Sequence, residues 1–179
     1  MKRTLVLGLG LLVVPAVVSA QLEVGLDAGF SILIPDDGSD NIKRFGVPSN
    51  PLVPFLSTLR VGFPAGETLL IESALGFTYA SFGPNDSFNA LFIMPGANFL
   101  LGDQFYVRGE AGLMRLSDSG SDAQTQYAFG GGAGIRRPLG ASALLRAEVA
   151  ADKWLKDAGA GLDGFLDIRA VVGVSAVIN

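Results

Sequence analysis

An all-β fold, an eight-stranded antiparallel up-and-down β-barrel of the transmembrane kind, is what this sequence predicts, on three observations. Apolar and polar side chains alternate with period two along most of the chain from Gln21 onward. The segments between these runs alternate between long and short. The polar face is made of glycine and arginine rather than of residues that seek water.

The first twenty residues stand apart. Lys2 and Arg3 form a basic start, Leu5 to Val18 an apolar run, and Val18-Ser19-Ala20 a small-residue cleavage site before Gln21, the pattern of an export signal. The run is broken by Pro15 and is too short for a spanning helix, which needs about 20 apolar residues. Residues 1–20 are therefore expected to be a cleavable signal peptide and 21–179 a single barrel domain. Only 17% of the chain is charged, less than the quarter or more common on soluble surfaces, and the mean hydropathy is +0.43. Without Lys2 and Arg3, eleven basic residues face seventeen acidic ones and no basic patch remains, which argues against nucleic acid as a partner. With no Cys, stability has to come from packing and strand pairing.

The first strand is clear: Leu22, Val24, Leu26, Ala28, Phe30, Ile32 and Ile34 alternate with Glu23, Gly25, Asp27, Gly29 and Ser31. Six segments of strand character follow, near 55–64, 68–82, 88–101, 104–116, 125–137 and 142–155. Most lack helical spacing and are interrupted by Gly. The segment 142–155 has no Gly, and its Ala, Leu and Glu content also suits a helix; its context assigns it to the sheet. The eighth strand runs through Leu166, Ile168, Ala170, Val172, Val174, Ala176 and Ile178, alternating with Asp167, Arg169, Val171, Gly173 and Ser175. Pro95 falls inside a strand, where it removes a ladder hydrogen bond, and is expected to mark a bulge or bend.

Short connections are read at Pro64–Glu67, Gly102–Asp103 and Pro138–Ala141, and longer polar ones at Pro35–Pro54, Gly83–Ser87, Ser117–Gln124 and Lys156–Gly164. Long loops at one rim and tight turns at the other are the asymmetry of outer-membrane barrels, whose tight turns face the periplasm, so both termini are expected there.

Alternation alone does not say which face looks out. The polar face carries Gly25, Gly29, Gly62, Gly76, Gly96, Gly112, Gly130, Gly132, Gly134 and Gly173, which suit a crowded lumen better than water. Its charges are Glu23, Asp27, Arg60, Glu72, Arg108, Glu110, Arg136, Arg146, Glu148, Asp152, Asp167 and Arg169. Every base among them is Arg, whose planar fork pairs with carboxylates in confined places, whereas the four lysines, Lys2, Lys43, Lys153 and Lys156, lie in the signal or in or beside the first and last long loops. These twelve charges are expected to form a structural ion-pair network filling the lumen. Aromatics near strand ends, Phe63, Phe99 and Phe105 beside the short turns and Tyr79, Phe82, Phe88, Tyr127, Trp154 and Phe165 beside the long loops, suggest two interfacial girdles.

Leu91-Phe92-Ile93-Met94-Pro95, the turn at Gly102-Asp103 and the strand Phe105-Tyr106-Val107-Arg108-Gly109-Glu110-Ala111-Gly112 resemble the small outer-membrane barrels of the OmpA and OmpX type. So do Gly130-Gly131-Gly132-Ala133-Gly134-Ile135-Arg136 and Leu144-Leu145-Arg146-Ala147-Glu148, and the resemblance extends over 21–179. It implies a bacterial outer-membrane address, lipid as surroundings and the barrel assembly machinery as a partner. The chain departs from the family pattern at its end, Val177-Ile178-Asn179, where such barrels usually carry an aromatic residue read by that machinery.

Chemistry-bearing motifs are few. Gly130–Gly134 is not followed by Lys-Ser or Lys-Thr and lies within a strand pattern, so packing rather than phosphate binding explains it. Asp36, Asp37, Asp40 and Asn41 lack the ordered spacing and final Glu of an EF-hand loop; they read first as a solvated loop and only second as a loose calcium site. Lumen carboxylates Glu72, Glu110 and Glu148 share their face with arginines, which makes ion pairing their default role rather than acid–base work. No His is present, which removes Ser-His and Asp-His hydrolase designs. Phe45, Val47 and Leu52 in the first long loop either fold over the rim or form an apolar contact surface. The expectation is a non-enzymatic barrel without cofactor or metal, structural or surface-interacting. A porin-like module for a small solute or ligand is the alternative, and a soluble lipocalin-like barrel the third reading.

Overall fold

The computed structural model describes residues 21–46, 59–83, 86–118, 122–157 and 162–178. The signal-peptide assignment, Val47, Leu52 and Asn179 lie outside the described residues. Strands dominate what is described: β1 (Leu22–Pro35), β2 (Ile42–Gly46), β3 (Leu59–Pro64), β4 (Leu69–Gly83), β5 (Asp86–Leu101), β6 (Phe105–Asp118), β7 (Gln124–Pro138), β8 (Ala143–Trp154) and β9 (Phe165–Ile178). All pairings are antiparallel, in the order β2-β1-β3-β4-β5-β6-β7-β8-β9 with β9 returning to β1. The closed wall therefore has eight strands, β1 and β3 to β9, with β2 as an addition to β1.

From Glu23 the pairing runs through Gly62, Glu72, Gly96, Glu110, Gly130, Asp152 and Asp167 and returns to β1 at Leu33, ten residues beyond its start. Such a stagger inclines the strands by roughly 40° to the barrel axis and leaves an interior that side chains can fill.

The period-two pattern is resolved with the apolar set outward. Val149 and Val172 are 61% and 56% exposed, while on the same strands Glu148 and Val171 are buried. Segment 142–155 is a strand over Ala143–Trp154, because its alternation is satisfied on both sides by β7 and β9.

Four expectations are corrected. The first long loop contains β2, which pairs Ile42–Gly46 with Leu33–Gly29 of β1. The connection near 83–87 is tight, since Gly83 already pairs with Asp86 across the hairpin. Pro95 produces no register shift: β5 keeps one register against β6 from Phe88 to Leu101, and the ladder is only interrupted at Met94 and Pro95, where proline has no N–H to give. The shift of register falls instead between Ser81 and Gly83. Finally, Trp154 is 3% exposed and, with Phe165, faces the lumen rather than a lipid girdle. Phe88 lines a small cavity with Leu116 and Gln124 at the long-loop end. Phe63, Phe99, Phe105, Tyr79 and Tyr127 do face outward.

Candidate functional site

The lumen is organised in rows that follow the interstrand hydrogen bonds. One row carries carboxylates separated by glycines: Glu23, Gly62, Glu72, Gly96, Glu110, Gly130, Asp152 and Asp167. The next inward row, two residues along each strand, carries Asn98, Arg108, Gly132, Ala150, Arg169, Ser31 and Arg44. Acids and bases thus face each other across a step that an Arg side chain spans. The glycines make this possible: a Cβ at Gly96 would lie 2.8 Å from the Gly109 carbonyl and 3.2 Å from Arg108 Nε, and one at Gly130 would collide with Asp152.

Glu72 is the centre. It is 1% exposed and receives Arg146 at 2.6 Å, Arg60 at 3.2 Å and Arg108 at 3.2 Å. Arg146 also pairs with Glu148 and donates from Nε to the Tyr106 hydroxyl at 2.5 Å, while that hydroxyl donates to Glu148 at 2.7 Å. Arg60 forks onto Asp27 at 2.5 and 2.7 Å. Arg108 reaches Glu110 and, at 3.5 Å, Glu148. Arg169 bridges Glu110 at 2.5 Å and Asp152, and Arg136 pairs with Glu23 near the short-turn end. All twelve charges named from sequence lie in this lumen, and each carries at least one ion pair with another of them, save Asp167, whose partner is Arg44 at 3.2 Å.

Arg44 falls within the predicted first long loop, and β2 brings it into the lumen, where it also donates to Ser31 Oγ at 3.0 Å. Ser31 and Ser175, on the polar sets of the first and last strands, are buried here, and Tyr106, Asn98 and Gln126 are further buried polar groups that sequence reasoning did not place in the lumen. Parity was the available signal for them, since each stands an even number of residues from a named lumen position on its own strand. No such signal existed for Arg44.

Towards the long loops the lumen changes character. Ala74, Phe92, Met94, Met114, Ala128 and Trp154 form an apolar cluster with Leu116 and Phe165 against it. Trp154 stacks on Phe165 at 5.6 Å and meets Phe92 at 6.1 Å. Gln126 closes over it, donating from Nε2 to the carbonyls of Leu155 and Asp163, each at 3.0 Å. At the other end, among the short turns, lies a cavity of ≈ 430 Å³.

The acidic first loop does not converge on one point. Asp36 pairs with Lys153, and Asp37 accepts the Ser39 N–H at 2.9 Å, the bond that chiefly holds its carboxyl below the usual range. Lys156 is raised by its hydrogen bond to Asp163 at 2.7 Å. Among the described residues no three Asp, Glu or His side chains gather to hold a metal ion.

No family model matches the sequence, and no curated protein matches it. Solved structures do. Neisserial surface protein A aligns over 87% of this chain and 96% of its own, with a TM-score of 0.59 at 16% identity. Ail, the attachment invasion locus protein of Yersinia pestis, aligns over 90% of this chain and 100% of its own, with a TM-score of 0.54 at 13% identity. This chain has the fold of the small outer-membrane β-barrels. A second structure of Ail, in complex with the heparin analogue sucrose octasulfate, gives a TM-score of 0.53 at 11% identity over 90% of this chain. At such identities the likeness is one of fold and closure, not of any lumen residue or loop.

Proposed function

We propose that this chain is an exported, non-enzymatic barrel of a bacterial outer membrane, in which the twelve lumen charges, with Arg44, act as a structural plug and the longer loops meet the outside. The observation that carries this reading is the division of side chains: apolar residues such as Phe77, Phe129, Val149 and Val172 look outward, and paired charges look inward. Lipid suits that outer face, whereas a soluble lipocalin-like barrel turns its apolar set inward. In this reading residues 1–20 direct export, the assembly machinery inserts residues 21–179, and the short turns and both termini sit in the periplasm.

Ion pairing supports a plug rather than catalysis. Glu72, Glu110 and Glu148 are each engaged by two or three guanidiniums, an arrangement that ties neighbouring strands together across the lumen. The described residues at the long-loop rim are mainly acidic, with Asp36, Asp37, Asp40, Asp122, Asp157 and Asp163 against Lys43, Lys153 and Lys156. Such a rim repels a sulfated polyanion of the kind bound to Ail and suits a basic partner. The porin-like alternative draws support from the cavity at the short-turn end, but the Glu72–Arg146 cluster fills the lumen above it.

Planar-bilayer recording of the purified protein, combined with membrane fractionation, tests the proposal. The expected result is recovery in the outer-membrane fraction and no steady conductance of porin size; a persistent porin-sized current, or recovery in the soluble periplasmic extract, contradicts it.

A further inference from the structure

The cavity at the short-turn end has a volume of ≈ 430 Å³, within the range of about 300–1,000 Å³ found for small-molecule sites. It is blind, because two residues further along the strands from Leu70 and Leu144 stand Glu72 and Arg146, which fill the lumen. Its wall is apolar at Leu70, Leu100, Leu144 and Val177, and its charged groups are Glu23, Glu67 and Arg136.

Glu23 is 5% exposed. One of its oxygens accepts from Arg136, while Oε1 is buried without a hydrogen-bond partner. An unsatisfied buried carboxylate oxygen is costly, and a donor that reaches it recovers that cost. Among its side chains the cavity holds two carboxylates to one guanidinium, and cleavage before Gln21 would place that residue's own α-ammonium beside them. The lumen among the described residues holds seven, Glu23, Asp27, Glu72, Glu110, Glu148, Asp152 and Asp167, against six, Arg44, Arg60, Arg108, Arg136, Arg146 and Arg169.

The geometry points to a binding site for a small organic cation, a primary ammonium carried on an apolar body. The ammonium has three donors; Glu23 Oε1, the Glu67 carboxylate at the mouth and the Gln21 side-chain amide oxygen are acceptors for them. The body packs against Leu70, Leu100, Leu144 and Val177. Arg136 Nε also lacks a partner, which makes a carboxylate of the same body the competing ligand. Arg136 is already paired with Glu23, and Arg146 directly across from it with Glu72 and Glu148, so an anion there meets guanidiniums that are already neutralised and the two cavity carboxylates.

The test is methyl NMR of the full barrel in lipid nanodiscs, titrated separately with cyclohexylammonium chloride and sodium cyclohexanecarboxylate. Expected are saturable shifts of the Leu70, Leu144 and Val177 methyls with the ammonium and none with the carboxylate. Glu23→Gln should weaken binding by about tenfold, as loss of a charged hydrogen bond does. Glu67→Gln, at an exposed site where the fold does not depend on it, should weaken binding by roughly threefold, so this variant decides should Glu23→Gln fail to fold. Absence of saturable shifts, an equal response to the carboxylate, or unchanged affinity in Glu67→Gln and in a folded Glu23→Gln overturns the assignment.

Discussion

Glu72 accepts three guanidiniums at 2.6 to 3.2 Å in a site from which water is excluded, and the chief energetic consequence concerns removal. A buried pair adds little over an apolar pair of the same shape, but stripping away one partner strands a desolvated charge at a cost of about 3–5 kcal/mol. Arg146→Met leaves Glu148 to Arg108 at 3.5 Å and to Tyr106, so urea unfolding of this variant in detergent should give a lower midpoint and an unfolding free energy reduced by an amount within that range. An unchanged midpoint would show the network to be energetically idle. Glycines give a cleaner contrast because their effects are steric. A Cβ at Gly112 would strike the Ile93 carbonyl and lie 2.7 Å from Met94 Cα, where only backbone could yield, while at Gly109 nothing lies within 4 Å. Gly112→Ala should therefore destabilise by more than about 1 kcal/mol and Gly109→Ala by less than about 0.5 kcal/mol, measured by the same urea transitions. The residue types at both positions are equally plain in the sequence; which of them faces a backbone became visible only with the register.

Among the elements, β2 is the one held least. It has five residue pairs with β1 and a single ionic anchor, Arg44 on Asp167, backed by Ser31, whereas β1 and β9 share fourteen pairs. Local opening follows contact density, so the amides of Ile42–Phe45 should exchange with deuterium well before those of Ala170–Val174. Equal protection would mean that β2 belongs to the wall as firmly as β9 does. This strand was illegible beforehand for a physical reason: Ile42-Lys43-Arg44-Phe45-Gly46 is short and lies among turn-forming residues, and strand pairing is decided by the partner edge as much as by the segment. The eight wall strands could be read because their alternation persists over 12 to 16 residues in most cases. β3 is described over only Leu59–Pro64. Pro95 illustrates the opposite limit, since proline announces a missing donor but not whether the neighbouring strand absorbs it without a shift.

For the molecule as a whole, sequence parity separated the outward set from the inward set but could not say how the inward set divides along the axis. The apolar aromatics and methionines of the lumen, Phe92, Met94, Met114 and Trp154, cluster in its long-loop half, while most of the charges, with Tyr106 among them, occupy the remainder. Trp154 shows both sides of this: two residues from Asp152 on β8 it has inward parity, as Phe165 has two from Asp167 on β9, but only the pairing of the two strands sets the rings against each other at the long-loop end. It is also the only tryptophan in the chain, so its emission reports the orientation of the whole wall without further labelling. In vesicles whose acyl chains carry bromine, Trp154 emission should be almost unquenched, while the paired variant Trp154→Phe with Val172→Trp should be strongly quenched. Strong quenching of native Trp154 together with weak quenching at position 172 would mean that the barrel is turned the other way.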